Sequence, residues 1–122
     1  FFRSDVFAKI GGFDTNIFLY FEEMDSCFRL RQHGYTSVLV PEAKILHYQG
    51  VSTGTNKTIS KEGFISHLYV IKKNYSLAKY CFIKWYYRLT FIIKPKKWFM
   101  LGLAWRGATL SESLKQKQEV RF

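Results

Sequence analysis

The segment from Phe21 to Gly34 constrains the fold most tightly, because its apolar residues recur at helical spacing and a glycine closes it. Phe21, Met24 and Phe28 lie three or four positions apart, with Arg31 continuing the row. Cys27 and Leu30 widen that face, and Gly34 supplies the C-terminal stop. A helix of this pattern has to lay one side on an apolar neighbour. Upstream, "RSDVFAKIGGFD" predicts a short helical turn with Ser4 as N-cap, running through Lys9 and stopped by Gly11-Gly12. "NIFLYF" reads as either a short strand or a tight loop. "YTSVLV", ended by Pro41, and "KILHY" read as strands. After the polar loop "VSTGTNKTI", residues 60–94 are predicted mostly helical, with Pro95 as the break.

A chain of 122 residues holds one domain or less. Hydrophobic residues make up 48% of it, yet no apolar run approaches the roughly 18 residues of a membrane helix, so a globular chain is expected. The start, Phe1-Phe2-Arg3, lacks both a Met and the layout of a signal peptide, and reads as a piece of a longer protein. Cys27 and Cys81 are far apart and have no metal-type spacing. They are expected as buried free thiols in a reducing compartment.

Charge divides the chain. Residues 1–60 carry six Lys/Arg and six Asp/Glu, so the net charge of +10 lies wholly in residues 61–122, where basic side chains alternate with aromatics in "KYCFIKWYYRLTFIIKPKKWF". Such a segment suits an anionic surface, lipid headgroups or nucleic acid. On a helix, Lys72, Lys79, Lys84 and Arg88 are expected to face headgroups, with Phe82, Trp85 and Tyr86 at the interface.

Three acids, Glu22, Glu23 and Asp25, open the helix over 22–33, and two readings stay open. The positive end of the helix dipole favours a carboxylate there by about 0.3–1 kcal/mol. Clustered like charges also raise one another's pKa, which next to apolar walls makes a base fit to deprotonate a hydroxyl. Asp25 and Arg29 stand at i and i+4, a salt-bridge spacing. His47, at a strand end, is either a satisfied polar residue or a metal ligand.

The series "RSDVFAKIGGFD", "FLYFEEMDSCFRLRQHGY" and "VPEAKILHYQGVS" resembles, in order and spacing, the second half of the catalytic domain of inverting family 2 glycosyltransferases, the rhamnosyltransferase-like members above all. The resemblance covers about residues 1–56, and "HLYVIKKNY" is similar to the family's Arg-Asn segment, with Lys73-Asn74 in that place. It implies an α/β fold: the C-terminal, acceptor-side part of a GT-A (nucleotide-diphospho-sugar transferase) domain over 1–58, then a mostly helical basic extension over 59–122.

Carried over by position, the resemblance implies that Glu23, where the family usually has Asp, is the catalytic base, with Glu22 beside it. Gly12, Phe13, Asp14 and Asp25 fall on the acceptor side: Phe13 to pack on a sugar face, Asp14 to bond a hydroxyl or cap the next turn. His47 falls where a ligand completes the site of a divalent metal ion, Mn or Mg, in the full-length enzyme. The implied partners are a nucleotide-sugar donor and a saccharide or lipid-linked acceptor, in cell-surface polysaccharide synthesis. The implied location is cytoplasmic, with peripheral contact at the inner face of the cell membrane through the basic half. No Asp-x-Asp and no Gly-rich phosphate loop occur, so the donor side is missing and the fragment is expected to be inactive alone. Strand edges left without partners are expected to favour self-association. The rival class is a basic aromatic binding module for an anionic membrane or nucleic acid. No nucleic-acid motif is present, and no nucleic-acid partner is expected.

Overall fold

Helices satisfy their backbone groups from within one segment, and they account for the regular structure of this chain. A computed structural model describes residues 1–46 and 57–115. In order these form α1 (Ser4–Lys9), α2 (Glu22–Gln32), α3 (Lys57–Asn74), α4 (Leu77–Ile93) and α5 (Leu101–Arg106), with 3₁₀ turns at Pro95–Met100 and Leu110–Glu112. The glycine stops act as the pattern requires, with Gly11, Gly12 and Gly34 all at positive φ. Arg3, rather than Ser4, holds the N-cap position of α1.

The α/β expectation is overturned: among the described residues there is no strand. "YTSVLV" runs as irregular chain with Leu39 86% exposed. Lys44–Leu46 of "KILHY" does the same, and the rest of that stretch lies outside the described residues. The β-branched pattern is genuine, but a strand exists only against a partner edge, and an isolated pair is marginal even when paired. "NIFLYF" takes the loop alternative.

Residues 60–94 are helical as predicted, but in two pieces. The first ends at Asn74, and Ser76 caps the second by accepting the N–H of Lys79 at 3.4 Å. Pro95 then opens a 3₁₀ turn in place of a continued helix. α3 packs against α2 on one side and α4 on the other, so most of its circumference is covered. The main core joins Phe64 and Leu68 of α3, Phe91 of α4, and Met100, Leu103 and Ala104 beyond it. Phe64 meets the rings of Tyr87 and Phe91 edge-on at 5.0 and 5.3 Å. A second, smaller cluster of Val6, Ile10 and Leu30 fastens α1 to α2. Cys27 and Cys81 are free thiols, and both are exposed rather than buried.

The segment after α5 is clipped back onto α3 by a buried carboxylate. Glu62, 2% exposed, accepts the Ser113 hydroxyl and the Leu114 N–H, the latter at 2.9 Å. Lys115 reaches on to the Thr15 carbonyl. Glu62→Ala orphans a buried hydroxyl and a backbone donor at once. Urea unfolding is expected to report a loss of about 1–3 kcal/mol, whereas Glu112→Gln, which breaks only the exposed pair with Arg106, is expected to change stability by less than about 1 kcal/mol.

Candidate functional site

Two neighbouring arrangements hold the acids singled out in the sequence. In the first, an ammonium joins two carboxylates: Lys73 Nζ of α3 lies 2.8 Å from Asp14 and 2.9 Å from Asp25. Asp25, 0% exposed, also accepts Arg29 Nε at 2.8 Å and Asn74 Nδ2 at 2.9 Å. The remaining nitrogens of Arg29 donate to the carbonyls of Gly12, at 2.6 Å, and Ile10. Asp14 accepts the Tyr69 hydroxyl at 2.9 Å, and one of its oxygens takes both the N–H of Asn16 at 2.9 Å and that residue's side-chain amide at 3.0 Å. Asp14 thus caps the turn that follows it.

The electrostatics of this network run opposite to the pKa rise expected of clustered acids. Burial by itself pushes the Asp25 carboxyl up, but hydrogen bonds from Asn74, Lys73 and Arg29 outweigh it and hold the group below the ordinary value. Asp14 follows the same balance: burial raises it, and Lys73, the Asn16 N–H and Tyr69 bring it down to about 2. Both stay ionised, and both are engaged on every side as anchors of the Gly-Gly-Phe-Asp loop.

In the second arrangement, Glu23 stands apart from that network. It is exposed and lines an open groove of about 640 Å³ between α1, α2 and the chain after α2, together with Arg3, Val6, Cys27, Tyr35 and Val38. Glu22 is half-buried and does not line the groove. Phe13 does not line it either. Its ring packs edge-on against Phe7 at 4.9 Å and Phe2 at 6.0 Å, and Phe2 does form part of the wall. The structure thus brings Asp14, Asp25 and the Gly12 carbonyl together and leaves Glu23 facing the opening. His47 lies outside the described residues. Among those described, no cluster of three or more His, Cys, Asp or Glu side chains is able to hold a metal ion. Asp14 and Asp25 close on the Lys73 ammonium.

What aims α2 was not visible in the sequence. Tyr20 and Phe21, directly before Glu22, both sit in the left-handed region at φ 64° and 69°, which costs roughly 1–2 kcal/mol per residue. α3 offsets that cost. The ring of Tyr20 crosses the helix at Gly63, where a Cβ would meet its Cδ2 at 3.1 Å. Phe21 stacks on the His67 ring at 4.5 Å. His67 Nδ1 is hydrogen-bonded to the Tyr87 hydroxyl at 2.9 Å, and burial keeps the imidazole pKa below its usual value. A lone glycine inside an otherwise regular helix was the only available signal.

Lys73→Met is expected to cost about 2–3 kcal/mol in denaturant unfolding, the low end for orphaning a buried charge, because Arg29 and Asn74 remain on Asp25. The lowered carboxyls also fix a pH window. Their folded pKa values lie below the unfolded 3.8, so their stabilisation is complete above about 3.8 and is lost as pH falls through about 2 for Asp14. His67 adds an earlier loss: its folded pKa lies below the unfolded 6.5, so stability declines as pH drops beneath that value. Unfolding midpoints measured against pH should lose the earlier step in His67→Gln and most of the later one in Asp14→Asn.

No protein-family model and no solved structure matches the chain. Two curated proteins do, both named N-acetylglucosaminyl-diphospho-decaprenol L-rhamnosyltransferase, from Mycobacterium tuberculosis strains CDC 1551 / Oshkosh and ATCC 25618 / H37Rv. Each is 44% identical to this chain over 52 residues, 43% of this chain and 17% of that protein. The match thus takes in less than a fifth of the length of these relatives. Over that part, this chain is related to a glycosyltransferase.

Proposed function

We propose that this chain carries the acceptor-side part of a glycosyltransferase, one that moves a sugar with inversion from a nucleotide-sugar donor to a saccharide or lipid-linked acceptor. The partial similarity to proteins named as rhamnosyltransferases makes L-rhamnose the first sugar to test. The observation that carries the reading is the position of Glu23. It is an exposed carboxylate on a groove of about 640 Å³, while the neighbouring acids Asp14 and Asp25 are tied to Lys73.

In this reading the Glu23 carboxylate takes the proton of an acceptor hydroxyl. The freed oxygen bonds to the anomeric carbon as the bond from that carbon to the nucleotide diphosphate breaks, and the electron pair leaves with the diphosphate. Val6, Leu30 and Val38 give the groove an apolar wall beside that carboxylate. The network on Lys73 holds the loop and α2 in register, so its members act by positioning. Transfer is assigned to a longer enzyme, and the chain by itself is proposed to bind acceptor without turning it over.

In the full-length enzyme, Glu23→Gln is expected to lower kcat by at least about a hundredfold, the usual scale for losing a general base, with Glu23→Asp recovering part of the rate. Because Glu23 is exposed, the unfolding midpoint should not move. The readout is transfer of labelled rhamnose from its nucleotide-linked form. Undiminished transfer by the Gln variant sinks the assignment.

A further inference from the structure

The most apolar face of α4 points away from the core. Tyr80, Ile83, Tyr87 and Phe91 form its inner row, packed in or against the main core. The opposite row, Phe82, Trp85, Tyr86, Leu89 and Ile93, is exposed, with Ile93 at 76%. A helix apolar on both sides is ordinarily covered on both. Trp98, exposed in the following 3₁₀ turn, donates its indole N–H to the Ile92 carbonyl at 3.1 Å, which lays that ring beside the end of the row.

The charges around this face are of one sign. From Gly63 to Ser111 the chain has nine Lys/Arg and no Asp or Glu. Not all of them are free. Lys73 is held by Asp14 and Asp25, and Arg106 by Glu112. Arg88 donates to the carbonyls of Ala104 and Trp105, with its guanidinium 4.4 Å from the Trp105 ring centre. Lys84 lies over the Tyr80 ring, on the inner side. Lys94, Lys96 and Lys97, directly after the exposed row, are all exposed and have no ion pair among the described residues.

We propose that the outer face of α4 and the Trp98 turn form a docking surface for an anionic lipid bilayer, with the helix lying in the interface plane. Leu89, Ile92 and Ile93 enter the acyl boundary, the Trp and Tyr rings sit at headgroup level, and Lys94, Lys96 and Lys97 meet lipid phosphates. No described helix is long and apolar enough to cross a membrane, so this is adsorption rather than spanning. A second copy of the chain is the poorer occupant, since it brings the same lysines against themselves. Nucleic acid would leave the three aliphatic side chains without a partner. The surface stands independently of the proposed transfer chemistry.

The test is co-sedimentation of the 122-residue chain with vesicles of phosphatidylcholine alone and of phosphatidylcholine mixed with phosphatidylglycerol. Quenching of tryptophan fluorescence by lipids brominated near the headgroup is read in parallel. Binding is expected to the mixed vesicles, with quenching. It should weaken about fivefold for each of Lys94, Lys96 and Lys97 changed to Gln. It should fall at least about tenfold in Trp85→Ser/Ile93→Ser, whose exposed positions leave the circular dichroism unchanged. Absence of binding to the mixed vesicles overturns the proposal, as does binding that the Trp85/Ile93 variant leaves intact. So does a dimer in sedimentation velocity that this variant dissolves, or a gel shift of single-stranded RNA at salt where vesicles no longer bind.

Discussion

One ammonium group holds the first half of the chain to the second. Lys73 stands between Asp14, from the loop after α1, and Asp25, from the first turn of α2. Neither acid has to be where it is for reasons local to its own segment: Asp25 could serve the helix dipole from a solvated position, and Asp14 could cap its turn unaided. It is the buried geometry that demands compensation, because a carboxylate removed from water without partners is unstable by several kcal/mol. Arg29 extends the same logic to the backbone, taking the carbonyls of Ile10 and Gly12 that the glycine turn leaves unused. Loop, α2 and α3 are consequently tied to one another, and Glu23 takes its direction from α2.

This division changes the meaning of the acidic cluster. Within four positions the chain places a carboxylate neutralised on all sides and another turned to an open groove, and helical spacing alone separates them: Asp25 faces α3, while Glu23, two residues earlier, faces away. Repulsion within the cluster is not what sets the acidity of Asp25. Partners supplied from α3, far along the sequence, do that, and they pull Asp25 in the direction opposite to the one clustering predicts.

What could be read in advance was what depends on neighbours in sequence. Helical period, glycine stops and the proline break located α1, α2 and the long helical region, and the i to i+4 spacing located the pair of Asp25 with Arg29. The exposure of Glu23 and its place on a groove depend on how α1 and α2 pack, and no local pattern carries that. The strands failed for a related reason: alternation records a readiness to pair, and pairing requires an edge that the described residues do not provide. The break at Ser76 passed unseen because Tyr75 and Leu77 keep the apolar rhythm across it. The roles of Gly63 and His67 rest on contacts with residues more than forty positions away.

The stretch of nine basic residues without an acid has a further consequence, concerning acidity rather than attraction. Its titratable side chains are lysines, arginines, tyrosines, Cys81 and His67, and burial biases the imidazole toward its neutral form. No carboxylate stands in that stretch to gain or lose charge in acid. The face behaves as a fixed cationic surface. Any response to physiological pH then has to originate in what it meets, or in the first half of the chain where the carboxylates are.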